Sequence, residues 1–479
     1  MTRPSSSILI SSLILLVASA SAPCADDADQ KLRADAGAAM KKAAEYYRGK
    51  LALRGGYVYY YSPDLKLRHG EGVASPTQIW VQPPGTPAVG LAFLTAYKAT
   101  GDKLYLDAAR AAGEALIYGQ LKSGGWQNNV DFDPQGKGVN LYRNGKGRGA
   151  NNSTLDDNIS QSAIRFMARL DEALEFKDKV VHESASVALD ALLKAQFVNG
   201  AFPQIWTGPV PNVTVMKAQY PTYDYRTEGK VKDYWNMYTL NDGLAGTVSE
   251  TLLTAADVYK DTKYTAALAK LGDFLLLAQM PAPQPVWAQQ YDREMHPIWA
   301  RRFEPAAITG GESQDVIETL MKIYRTTGDK KYLEPIPRAL AFLKKSRLPD
   351  GRLARYYELK TNRPLYMTRQ NDEYTLTFDD SKLPDHYGWK VDSRLESIEA
   401  AYQSIVNNRA SKKESTADEL RRDARKIIAD LDAEGRWIST FAGERLYGQP
   451  KFKPGDRYIN SAVFSNNLET LSSYLEATR

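Results

Sequence analysis

Acidic residues gather at two points of this sequence, each where an apolar helical pattern begins. Asp156-Asp157-Asn158 heads a helix expected over 159–174, and Asn241-Asp242-Gly243 heads a second expected over 244–259. Asp and Asn are favoured helix caps, so capping alone accounts for one such residue at each start. Asp-Asp-Asn concentrates more oxygen than a cap uses. A hard cation such as calcium takes about six to eight oxygens, and two acidic helix starts on one face supply part of that shell.

A second group is cationic: Arg301 and Arg302 in PIWARRFEP, Arg355 in LARYYE, Arg363 in TNRP and Arg369 in YMTRQND, with Trp287, Trp299, Tyr356 and Tyr357 nearby. Forked guanidinium groups bind carboxylates at two points, and flat rings stack on sugar faces. Arginine beside aromatic residues therefore suits an acidic polysaccharide. Solvated surface arginines and core rings are the competing readings of the same residues.

Other chemistries find little support. The four histidines, His69, His182, His296 and His386, show no metal-ligand spacing, and H-E-x-x-H, G-x-S-x-G and phosphate-cradling glycine loops are absent. His296 lies near the arginines, but a lone histidine is more often structural. The one cysteine, Cys24, stands near the N-terminus, so the folded part has no disulfide and no thiolate.

The elements that position these residues form an internal repeat. Phe93 to Ile117, Leu252 to Leu276 and Leu320 to Lys344 each read as helix, polar turn, helix, with turns Thr100-Gly101-Asp102-Lys103, Lys260-Asp261-Thr262-Lys263 and Thr327-Gly328-Asp329-Lys330. Fainter copies span Ile164 to Leu193 and Glu396 to Leu431, giving about five pairs. Pairs this short bury their apolar faces only by stacking, and closing the stack removes its exposed ends. The expected fold is all-α: an (α/α) toroid or partial toroid. SGGWQ, NGAFPQ, PVWAQQY, PDGRLARYY and EGRWIST follow the pairs at intervals of about 65 to 85 residues, so short strands and long loops should share one rim.

With 479 residues and 43% hydrophobic content the chain can bury one large core. Arg3, the apolar run Ile8 to Val17 and the small residues Ala18 to Ala22 have the layout of a secretory leader, too short to span a membrane. Residues 1–25 are expected to be that leader and 26–479 a single catalytic domain, exported to the periplasm or outside the cell, without a membrane span and acting as a monomer. A lipid-modified Cys24 is the less favoured alternative. The formal charge of +5 becomes +4 without Arg3, too small an excess to call for nucleic acid.

The motifs resemble those of the family 10 polysaccharide lyases, the pectate lyases. TLDDNISQSAIRFMARL resembles their T-I-D-N followed by I-R-F-L-A, YTLNDGLAG their I-T-F-N-D, and NGAFPQ their G-G-W-P-Q. PIWARRFEPAAITGGES resembles A-R-x-Y-E-x-x-x-x-S-G-x-E-S, and LARYYELKTNRPLYMTR resembles W-A-R-F-Y-E-x-x-T-N-R-P with a later arginine. The similarity runs in order from Ala88 to Arg369. It implies a toroid-like catalytic fold and calcium-dependent β-elimination of polygalacturonate. By that resemblance Asp156, Asp157 and Asp242 match acidic calcium and substrate positions, and Arg301, with Asp156, is catalytic as the base. Arg302, Arg355, Arg363, Arg369 and Tyr356 are expected to hold substrate. Two departures stand out: Asp157 replaces the usual asparagine, and Gly208 to Asn236 is a longer insertion. A neutral Arg301 requires an environment that disfavours its charge, which Arg302, calcium and burial are expected to provide. The alternatives are an α/α-toroid glycoside hydrolase acting on an acidic polysaccharide and a non-catalytic uronate binder.

Overall fold

Glycine and aspartate set the boundaries inside each helical pair. Gly101 and Gly328, at φ 73° and 71°, end the first helix of their pairs in the left-handed region that glycine enters at no steric cost, and Lys260 at φ 54° does the same without one. Asp102, Asp178 and Asp261 then cap the second helix, and Asp329 the short 3₁₀ turn that precedes it, by accepting backbone N–H bonds.

The computed structural model describes residues 25–408 and 416–479. The expected leader, with Cys24, lies outside them except for its last residue, and no helix among the described residues is long and apolar enough to cross a membrane. Twelve helices are seen there: α1 (Ala25–Tyr46), α2 (Thr86–Thr100), α3 (Lys103–Gly119), α4 (Ile159–Ala173), α5 (Lys179–Lys194), α6 (Leu244–Tyr259), α7 (Thr262–Leu277), α8 (Gly310–Thr327), α9 (Ile336–Lys345), α10 (Leu395–Val406), α11 (Ala417–Ala429) and α12 (Ser461–Ala477).

The even-numbered helices pack on one another in the order α12–α2–α4–α6–α8–α10, and the odd-numbered helices back them from outside. This is an (α/α) toroid. Four of the five expected pairs, α2/α3, α4/α5, α6/α7 and α8/α9, pack as helix pairs; in the fifth, α11 packs chiefly on α12 and α1 rather than on α10. A sixth comes from the two chain ends, because α1 packs against α12 and α12 against α2.

Short ladders tie the pairs together on one rim. The strand before α4, α6 or α8 pairs antiparallel with the strand that follows the next outer helix: Ser153–Thr154 with Ile205–Trp206, Tyr238–Thr239 with Gln290–Tyr291, and Ile308–Thr309 with Tyr356–Tyr357. Trp126, Trp287 and Trp437 sit at matching points of three repeats, and each indole donates to a carbonyl near the end of the preceding outer helix, Leu116, Leu275 or Ile427, at 2.8 Å. An aromatic side chain buries about 150–250 Å², on the order of 4–6 kcal/mol at about 25 cal/mol per Å², so these residues anchor the rim strands to the helical core.

Candidate functional site

The two acidic helix starts adopt one backbone conformation. Asp157 and Asn158 take φ 45° and 62°, and Asp242 and Gly243 take φ 53° and 66°, just before α4 and α6. Left-handed backbone is costly for a non-glycine residue, and the turn does not cap either helix through a side chain. It turns the aspartates instead. Asp156, Asp157 and Asp242 bring carboxylate oxygens within 4.8 Å of one another.

Arg165 on α4 holds the first turn. Its guanidinium donates to Asn158 Oδ1 at 3.0 Å, to the Thr247 carbonyl at 3.1 Å and to Thr251 Oγ1 at 3.0 Å, so one half-buried side chain joins the first acidic turn to α6.

Crowding shows in the acidities. Burial, and then the charge of Asp156, push the Asp157 carboxyl up to about 6. Burial and the charges of Asp156 and Asp157 raise Asp242 well above the ordinary carboxylate range. Like charges this close disfavour full ionisation unless a cation joins them. Asp156 Oδ1 is also buried without a hydrogen-bond partner. Three hard oxygen donors around an unpartnered oxygen fit a calcium ion.

Arg301 comes from the loop before α8. Its Nη2 lies 3.4 Å from Asp156 Oδ2 and its Nη1 3.5 Å from Glu304 Oε1, with the side chain 31% exposed. Burial by itself disfavours its charge, as expected. The Glu304 and Asp156 carboxylates outweigh burial, however, and in the cation-free protein they hold Arg301 more firmly protonated than an ordinary arginine. Glu304 is nearly fully buried, accepts from the Arg301 backbone N–H at 3.2 Å and receives the Tyr387 hydroxyl at 3.0 Å.

The other expected residues divide. Arg355 belongs to the centre: it lies 3.8 Å from Asp242 and 3.3 Å from Glu312, with its guanidinium 4.4 Å from the Tyr387 ring centroid. Arg302 and Arg369 line an open cavity of about 580 Å³ together with Arg301, Tyr234 and Tyr374. Arg363 does not join them. It is exposed, lies over Phe378 at 3.4 Å, and sits six residues before Arg369 on an extended segment, about 20 Å away at about 3.3 Å per residue. Tyr356 is also misplaced for stacking on sugar: it is 0% exposed and bonds Gln289 and the Tyr387 hydroxyl. Trp287, Trp299 and Tyr357 are buried as core.

Several site residues carry no signal in the sequence. Tyr387 links Arg355 to Glu304. Gln82 Nε2 donates to Asp157 Oδ2 at 2.9 Å and lies beside the Tyr447 hydroxyl. The insertion Gly208 to Asn236 contributes Tyr234 to the Arg301 cavity and packs on the segment that carries Arg301, with Lys230 over the Trp299 ring at 4.7 Å.

No curated protein sequence matches the chain. Among solved structures, it is similar to a family 10 polysaccharide lyase from Cellvibrio cellulosa, with 20% identity over 67% of this chain and 97% of that one and a TM-score of 0.46. A mutant of that family 10 lyase in complex with trigalaturonic acid matches at 18% identity over 68% and 98%, TM-score 0.46. The cellobiose 2-epimerase from Spirochaeta thermophila matches at 14% identity over 94% and 98%, TM-score 0.48. Residues 120–348, which carry Asp156, Asp157, Asp242 and Arg301, match the family model of pectic acid lyase, and it is the pectic acid lyases that this chain resembles.

Proposed function

We propose that the protein is a pectate lyase, exported from the cell, that cleaves polygalacturonate by calcium-dependent β-elimination. The observation that carries this reading is the facing of a three-carboxylate cluster and a guanidinium, Arg301 against Asp156 at 3.4 Å, on one rim. The pectic acid lyase match over the same residues supports it.

The C5 proton of a galacturonate is α to a carboxylate, so its removal is hard while that carboxylate keeps its full charge. Calcium held by Asp156, Asp157 and Asp242 would supply Lewis-acid polarisation of the uronate. Arg301, in its neutral form, takes the C5 proton. The C5 electron pair forms the C4–C5 double bond as the C4–O bond breaks; the leaving oxygen takes a proton from water, and the hydroxide so formed removes the proton that Arg301 has gained. Neutral Arg301 is reached only when the carboxylates beside it are offset, and a cation on the aspartates offsets Asp156. Arg355, locked between Glu312 and Tyr387, is fixed in place to receive a uronate carboxylate. Arg302 and Arg369 offer cations to the neighbouring sugars on the open side.

Incubation with polygalacturonate, alginate and glucuronan, with and without a chelator, tests the reading. Elimination gives an unsaturated uronate that absorbs in the ultraviolet, and the expected result is absorbance on polygalacturonate that the chelator abolishes. New reducing ends without absorbance would replace the lyase by a hydrolase, and binding without either product would leave a uronate-binding protein.

A further inference from the structure

The two sides of the acidic cluster are built differently. Beyond Arg301 the rim opens into the cationic cavity of Arg302 and Arg369. Beyond Asp157 it is filled by segments from the two ends of the chain, both outside residues 120–348. Gln82 Nε2 reaches Asp157, the Tyr447 hydroxyl and, at 3.3 Å, Glu71. The Tyr447 ring packs 5.7 Å from that of Tyr59. Gly448 takes φ 69°, and a Cβ there would lie 2.4 Å from the Gly70 carbonyl oxygen, so the C-terminal loop rests directly on the N-terminal turn. Two residues before Tyr447, Arg445 donates to the His386 carbonyl at 3.2 Å, tying the same loop to the segment that carries Tyr387.

These contacts run from the segment before α10, through the loop before α12, to the segment before α2 and on to Asp157. We propose that this strap closes one end of the substrate groove, so that the protein engages its polyanionic substrate from a chain terminus and releases short products, rather than cutting in mid-chain. Charge points the same way: Glu71 stands at the wall beside Asp157, where a further uronate of an uninterrupted chain would meet another carboxylate. The open side presents arginines to the rest of the polymer. The strap acts on the site read above as a uronate-cleaving centre and sets how that centre meets the polymer.

The test uses the full-length protein with polygalacturonate and calcium, following viscosity and sizing the products by their reducing ends, which register elimination and hydrolysis alike. The expected result is one short product size from the first minutes, with viscosity falling only in proportion to bonds cleaved. The double variant Arg445→Ala, Tyr447→Ala, with Gly448→Val as an independent way to lift the loop, should broaden the products to a ladder. A wild-type ladder with early collapse of viscosity overturns the strap while leaving the lyase reading intact if the products absorb in the ultraviolet. Short products without absorbance overturn the lyase and keep the strap. No cleavage of any uronate polymer overturns both.

Discussion

Asp157 and Asp242 are structural equivalents in successive repeats, with ψ 34° at both and φ within a few degrees of 50°. A strained turn repeated in two places, with a third carboxylate inserted beside it in only one, indicates that the turn is kept for where it sends the oxygens.

That crowding predicts a pH-dependent stability defect. A carboxyl whose folded acidity is pushed up to about 6 contributes stability as the neutral acid, present in full below about pH 4 and lost as pH climbs to about 6. Asp157→Asn removes that titration and tolerates left-handed backbone at least as well. In chelator, wild type and variant should melt alike near pH 4, and the variant should melt higher by pH 7.5. Added calcium should raise the wild type more than the variant. Thermal scans across pH 4 to 8 decide it, and a melting difference that stays constant with pH removes the basis for the argument.

The arginines outside the centre should separate by position. Arg302 and Arg369 line the cavity that Arg301 shares, so Arg302→Ala or Arg369→Ala is expected to raise KM about tenfold, the scale of one charge-assisted contact. Arg363→Ala, about 20 Å along the chain from Arg369, should change kcat/KM by less than about twofold. Steady-state kinetics on polygalacturonate compares them, and a large Arg363 effect would place substrate far from the aspartates.

Much of this architecture is visible in the residues themselves. The Thr-Gly-Asp-Lys turns mark helix ends because glycine relieves the left-handed cap and aspartate accepts from the next helix, both local effects. Asp156, Asp157, Asp242 and Arg301 meet because equivalent positions of stacked repeats share a rim. The sixth pair was not legible, since α1 and α12 are each half of a unit whose other half lies at the opposite end of the chain. Tyr356 turns into the core, 0% exposed, against the expectation that it holds substrate, because two tyrosines in a two-residue strand give too short a pattern to show whether a ring points to groove or core. Gln82, Tyr387 and Tyr447 sit on loops without periodicity, and only tertiary proximity reveals them.

Glu304 should tune the proposed base. Of the groups around Arg301, its carboxylate does most to hold the guanidinium protonated. Glu304→Gln removes the charge and keeps the size and one of the two acceptor oxygens, which the Arg301 backbone N–H and the Tyr387 hydroxyl use separately in the wild type. Neutral Arg301 then becomes easier to reach, so the alkaline limb of the pH–rate profile should move to lower pH, whatever the change in maximal rate. Profiles of kcat between pH 7 and 11 at saturating calcium measure this. A limb that does not move would mean that another group sets it.

Arg165 should couple the fold to the cation. Its guanidinium spans Asn158, Thr247 and Thr251 from a half-buried position, and Arg165→Met keeps the aliphatic bulk while deleting every donor. Hydrogen bonds from a charged donor are each worth about 1.5–3 kcal/mol, and of the three partners only Thr251 is fully buried while Asn158 and Thr247 are half-buried and can turn to water, so unfolding in chelator should show a loss of about 3 kcal/mol, the scale of one or two such bonds. The acidic turn would also lose the bond that fixes Asn158 beside Asp157. Groups that orient ligands this way typically change metal affinity by about 10- to 100-fold, so a calcium titration of the variant should show weakening on that scale. Lower stability with unchanged calcium affinity would mean that Arg165 joins α4 to α6 but leaves the geometry of the aspartates to the backbone alone.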